Sequence, residues 1–151
     1  MEIHGRFEWN KSEAEMLTER NLEAGGLVQK VIDNAVIRYC EPYVPFESGA
    51  LSRSPNTASD IGSGEIVYPG PYAHYQYYGD VYGPNIPITQ GGEVAGFFSP
   101  PGQAKIPTGA KLEYNQEHSA LSGSFWFERM KADRKDDLLQ EACNVAGAKH
   151  G

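Results

Sequence analysis

Pro42-Tyr-Val-Pro-Phe-Glu-Ser-Gly-Ala-Leu-Ser-Arg-Ser54, and after a short break Gly64-Glu-Ile-Val-Tyr-Pro-Gly-Pro-Tyr-Ala-His-Tyr-Gln-Tyr-Tyr-Gly79, is the stretch whose reading decides the fold. Pro42 and Pro45 stop the helix that precedes them, because each lacks an amide donor and clashes with the turn before it. Ser48-Gly49 supplies a turn, and Leu51 to Asp60 reads as extended chain, with Pro55 marking an edge or a bulge. Gly64 to Tyr68 reads as a second strand, and the intervening Ser-Asp-Ile-Gly-Ser-Gly reads as the turn between them. Pro69-Gly70-Pro71 breaks the chain again and releases a tyrosine-loaded helix, Tyr72 to Tyr78, with Gly79 as its left-handed cap. Nothing in this stretch has the form of an active site. It reads as a scaffold that presents aromatic surface to other proteins.

Upstream, Ile3 to Trp9 alternates as a short strand does. Ser12 and Glu15 form a capping box, and one long helix is predicted from about Glu13 to Cys40. Its apolar stripe is Leu17, Ala24, Val28, Val31, Ala35 and Tyr39, widened by Ile32 and Val36. Gly25-Gly26 falls in the middle, as a kink or a place of close packing. At about 1.5 Å per residue such a helix reaches roughly 40 Å, long enough to pack on a sheet and also touch a neighbour.

Downstream, residues 80–122 contain five prolines and six glycines. Ile86 to Ile88, Val94 to Phe98 and Lys111 to Tyr114 read as short strands in what is otherwise a long arm or hairpin, ordered on a partner. From Ser124 the chain is helical again. Phe125, Trp126 and Phe127 open the helix, Met130, Leu138, Leu139, Ala142 and Val145 form its stripe, and Gly147 ends it. The mixed charges between Glu128 and Asp137 read as a solvated face.

The 151 residues are the size of a single domain spanning 1–151. No apolar run approaches the roughly 20 residues that cross a bilayer, and the amino terminus has no signal-type stretch, so a soluble, cytoplasmically made protein is expected. The net charge of −7 argues against phosphate-backbone binding as the main activity, though DNA can slide past an acidic wall. Cys40 and Cys143 are not at metal spacing and read as small buried hydrophobes. No nucleophile elbow, zinc motif or phosphate loop is present; Gly102 to Lys111 has the wrong glycine spacing and no hydroxyl after its lysine. His4, His74, His118 and His150 are scattered. No catalytic, metal or cofactor residue is assigned.

The tyrosines are different. Five of the nine lie between residues 68 and 78. At helical spacing Tyr72, Tyr75 and Tyr78 share one side, with Ala73 and Tyr77 on another. One side enters the core and the other is free for a protein contact, where tyrosine offers rigid area with a polar tip. Together with Phe97, Phe98 and Tyr114 of the arm, Tyr72, Tyr75, Tyr77 and Tyr78 are the candidate protein-interface residues.

The order of these elements resembles a known family. It carries Val-Pro-x-x-Ser-Gly-x-Leu-x-x-Ser (Val44 to Ser54), Pro-Tyr-Ala-x-Tyr-x-x-Tyr-Gly (Pro71 to Gly79) and the aromatic start of the last helix. The chain resembles the minor capsid, or head–tail joining and tail completion, proteins of long-tailed bacteriophages. It departs from their Tyr-Ala-x-x-x-Glu-x-Gly-Thr pattern, reading Gln-Tyr-Tyr-Gly-Asp over Gln76 to Asp80. The resemblance implies an α+β fold, a small twisted antiparallel sheet packed against the long amino-terminal helix and the carboxy-terminal helix, and no catalysis. It implies a neck ring of six copies, assembled in the host cytoplasm. That ring joins the head-closure or connector complex to the tail terminator and tail tube, with DNA only passing through, and an acidic channel lining would suit the charge. Two other readings stand beside it: a stand-alone interaction or small-ligand-binding module with the tyrosines lining its site, and an enzyme using His74 with a carboxylate.

Overall fold

The computed structural model describes Met1 and residues 10–147. The predicted strand from Ile3 to Trp9 lies outside the described residues. Helix α1 (Glu13–Glu19) starts as expected: the Glu15 amide donates to Ser12 Oγ (3.2 Å), and the Ser12 amide donates to the Glu15 carboxylate (2.7 Å). It does not continue to Cys40. Asn21 (φ 57°) and Gly25 (φ 70°) both take the left-handed conformation, and helix α2 (Leu27–Cys40) starts afresh behind Gly26. The single long helix is therefore two. None of the α1 side chains is buried, so no packing compensates for the helix-breaking Gly25-Gly26 pair.

Helix α2 buries Val28, Ala35, Val36, Ile37 and Cys40 and ends in a 3-10 turn over Glu41–Tyr43, where Pro42 stops it. Where the sequence predicts a strand from Leu51, two short helices form instead, α3 (Ala50–Arg53) and α4 (Pro55–Ala58). Left-handed Gly49 (φ 75°) turns the chain into α3, and Pro55 occupies the first position of α4, where its missing amide costs nothing. Ser52 and Ser54 donate their hydroxyls back to the carbonyls of Gly49 and Leu51, holding the turns. Buried Leu51 and Pro55 are four residues apart, which is the helical period.

The second expected strand, Gly64 to Tyr68, does not form: Gly64 takes a positive φ (81°), the residues after it have no regular structure, and the segment pairs with no strand among the described residues. Its loop is tied down by the buried Asp33 of α2, whose carboxylate accepts from the amides of Gly62 (2.7 Å) and Gly64 (3.2 Å) and from Gln29 (2.7 Å). Helix α5 (Pro71–Tyr78) forms where predicted and is closed by left-handed Gly79, whose amide donates to the Tyr75 carbonyl (2.9 Å).

Among the described residues, all the paired strands come from the segment after Gly79. Strands β1 (Asp80–Gly83) and β4 (Ile106–Lys111) form one antiparallel pair; β2 (Ile86–Gln90) and β3 (Glu93–Phe98) form another, joined through Gly91-Gly92. Both glycines have positive φ, as a tight two-residue hairpin requires. The strands expected at Ile86 to Ile88 and Val94 to Phe98 are present. The one expected at Lys111 to Tyr114 lies earlier, because Pro107 and Gly109 fit an exposed ribbon edge. The arm leaves the body and returns to it at one point: the Leu112 amide donates to the Gly79 carbonyl (2.8 Å), and Lys111 pairs with Asp80.

Helix α6 (Trp126–Ala146) runs antiparallel to α2. Arg129 fixes its start by donating to the carbonyls of Leu121 (2.7 Å), Ser124 (2.8 Å) and Tyr43 (3.4 Å). At its far end Arg20 donates to the free carbonyls of Ala146 and Gly147, where a cation suits the helix dipole. The core between the helices consists of Val36, Cys40, Tyr43, Val44, Leu51, Ala73, Trp126 and Met130. The fold is α+β, with antiparallel ribbons beside a helical body. Neither Cys40, inside this core, nor Cys143 forms a disulfide; burial pushes the Cys40 thiol up to about 12.

Candidate functional site

The structure separates the candidate residues by how each is already used within the subunit. Helix α5 lies against α6 with Ala73 buried beneath it. Tyr77 packs its ring perpendicular to Trp126 (4.6 Å between centroids) and edge-on to Phe125 (5.4 Å), and its hydroxyl donates to Glu128. Burial, then that carboxylate, raises its phenol above the ordinary range. Tyr75 leans on Tyr82 of β1 (4.7 Å), so it couples the helix to the first ribbon. Tyr114 passes under the end of α5, where its hydroxyl donates to the Gln76 carbonyl (2.6 Å). A side chain at Gly79 would come within 2.7 Å of that hydroxyl, so Gly79 is required both by its φ and by the space.

The other four are turned outward. Tyr72 is 50% exposed, its hydroxyl donating to Glu47 (3.3 Å). Tyr78 is 45% exposed and rests on His74 (4.7 Å) and Phe125 (5.7 Å). Phe97 and Phe98 are 66% and 49% exposed. Directly opposed strand residues share a face, so Phe98 sits with Ile86, and Phe97 with Pro87. Ile88 follows Ile86, and Val94 lies opposite Thr89 across the bulge. Both faces of the β2–β3 ribbon are thus apolar and open to solvent. An isolated two-stranded ribbon is marginal in water, and a contiguous exposed apolar patch marks a contact site.

What the sequence reading does not delineate is the space between α2, α5 and α6. A cavity of about 380 Å³ opens there, lined by Val36, Cys40, Ile66, Tyr68, Tyr77 and Trp126, with His74, Tyr78 and Phe127 at its lip. Tyr68 Oη is buried close to the Cys40 thiol and the Trp126 indole, without a well-formed hydrogen bond to either. Its phenol is driven up, first by burial. Tyr68 and the Phe125 to Phe127 run stand out in the sequence, but the cavity they share with α2 depends on the helix packing. His74 lies at the surface, edge-on to Tyr75 and tilted against Tyr78. No group of His, Cys, Asp and Glu among the described residues is arranged to hold a metal ion, and no described helix is long and apolar enough to cross a membrane.

Comparison with known proteins adds the family. A family model described as minor capsid protein matches residues 9–94, from before α1 into β3, more than half of the 151 residues. No curated protein and no solved structure matches. The matched region holds the whole Pro42 to Gly79 stretch, α5 with its tyrosines and the first strand of the exposed ribbon. The chain therefore belongs to the minor capsid protein family, and is a structural component of the phage particle.

Proposed function

We propose that the protein is a neck component of the virion: a ring of six copies that joins the head-closure or connector complex to the tail terminator and tail tube. DNA passes through its channel, and assembly takes place in the host cytoplasm. One observation carries this reading. The subunit bears two separate apolar surfaces that it does not cover itself, the α5 face with Tyr72 and Tyr78 and the β2–β3 ribbon with Phe97 and Phe98. A closed ring is built from a heterologous contact, which needs two different patches on each subunit. In this assignment Tyr75, Tyr77 and Tyr114 serve the interface from behind, fixing α5 to Tyr82, Glu128 and the Gln76 carbonyl.

The test is the mass of the purified protein by light scattering, alone and mixed with the tail terminator of the same phage. A ring, or a monomer that assembles on the terminator, is the expected outcome. A monomer indifferent to every tail protein would refute the neck role. The cavity under Tyr68 favours one second reading, a small-ligand-binding module with the tyrosines lining its site. That reading requires a stable monomer that retains or captures a small apolar molecule.

A further inference from the structure

We infer that the cavity between α2, α5 and α6 is the socket for the β2–β3 ribbon of a second copy, with Phe97 as the inserted side chain. The inference rests on the ring reading and specifies its contact. Four observations lead to it. The ribbon makes its main contacts within itself, and Phe97, opposite Pro87, is left 66% exposed. The cavity has apolar and aromatic walls and holds about 380 Å³, whereas a site on the order of 150 Å³ accommodates a benzene ring. A phenyl group with a flanking Val94 or Pro87 is therefore of the right size. The Tyr68 hydroxyl, at the cavity wall, makes no well-formed hydrogen bond within the subunit, and an incoming strand brings backbone carbonyls that can accept from it.

Charge selects the ribbon over the rest of the surface as the approaching part. The chain carries a net −7, yet between Ile86 and Ala104 the only charged side chain is Glu93. Like-charged copies repel least through that segment. A projection on one part of a molecule that fits a pocket on another part gives a heterologous contact, which closes into a ring or propagates. The two sides of this contact are different residues, so a mixture of two variants can report it.

The experiment uses the full chain in a Cys40→Ala, Cys143→Ser background, because Cys40 is a free thiol on the cavity wall and would compete for an inserted cysteine. Phe97→Cys and His74→Cys are made separately, one of them affinity-tagged, and mixed under the conditions in which the wild type assembles. Expected is a disulfide between the two kinds of chain that neither variant gives alone. Phe97→Asp is expected to weaken assembly at least tenfold while leaving the circular dichroism and melting temperature of the subunit unchanged. Assembly that survives Phe97→Asp, with no mixed disulfide, would overturn the socket and leave the ring reading standing. A protein that stays monomeric with and without its tail terminator would defeat both. A small molecule retained in native mass spectra and lost in His74→Trp would assign the cavity to that molecule and overturn the socket.

Discussion

Trp126 and Phe97 are both large aromatics, and the molecule treats them in opposite ways. Trp126, 2% exposed, is enclosed by Tyr68, Tyr77 and the α2 side chains, whereas Phe97 is 66% exposed on a ribbon without backing. The helical body is held from within: its core packs around Trp126 and Met130, its loops are tied by Asp33 and Arg129, and Ser12, Gly79 and Gly147 cap the start of α1 and the ends of α5 and α6. The ribbon has a hydrogen-bonded ladder but no covered face. Burial of apolar area is the main source of stability, so the body holds its own fold, while the ribbon's apolar side chains contribute little to it. In a phage structural protein this division separates the region that folds around its own core from a ribbon for which a contact with another copy is proposed.

The comparison breaks first if the body is less self-sufficient than described. Trp126→Ala is expected to destabilise the subunit by about 3–5 kcal/mol in urea denaturation, the range for emptying a large aromatic site. A loss below about 1 kcal/mol would mean the core lies elsewhere. Asp33→Ala strands the amides of Gly62 and Gly64 and is expected to cost about 1–3 kcal/mol, with faster hydrogen exchange in the 59–64 loop. Gly79→Ala forces a side chain into left-handed backbone and towards Tyr114; the expected loss is at least about 1–2 kcal/mol by thermal melting.

Smaller effects sharpen the contrast at the rim of the body. Hydrogen bonds from Tyr39 first, then Arg38, hold the Glu141 carboxyl below its ordinary 4.5. A depressed folded-state value means that this contribution is complete above the unfolded value and is lost as pH falls through the folded one. Glu141→Gln should therefore flatten the decline of stability on the acid side of about pH 4.5 and leave the slope near neutrality unchanged. Smallest of all is Phe97→Ala, expected within about 0.5 kcal/mol of wild type in the isolated subunit. A larger loss in urea would show that the ribbon is supported from within its own chain.

The parts legible in the sequence are those governed by local rules. The Ser12–Glu15 box, the stop at Pro42, the α5 helix between Pro71 and Gly79, and the end of α6 at Gly147 follow from capping and turn chemistry alone. The division of α5 into Ala73 and Tyr77 inside, with Tyr72 and Tyr78 outside, follows from helical spacing. The misreadings arose where two local signals compete. Leu17 and Ala24 continue the apolar stripe of α2, but the left-handed conformations of Asn21 and Gly25 override a pattern that no packing supports. Leu51 to Asp60, serine-rich with an internal proline, reads as extended chain, whereas Leu51 and Pro55 are buried four residues apart, at the helical period. The ribbons emerged in the segment read as an arm, because pairing across Gly91-Gly92 is local but that of β1 with β4 spans more than twenty residues. The cavity was least legible, since Val36, Tyr68 and Trp126 meet only through tertiary packing.

The hydrogen bond from Leu112 to Gly79 has an evolutionary consequence. It pinches the chain at the root of the arm, so the body experiences the same two anchor points whatever lies between them. Because the entropy of closing a loop rises only slowly with its length, about 0.6 kcal/mol per doubling, the arm can lengthen, shorten or exchange its tip at little cost to the remainder. Related phages facing differently shaped neighbours can thus retain one chassis and retool its reach.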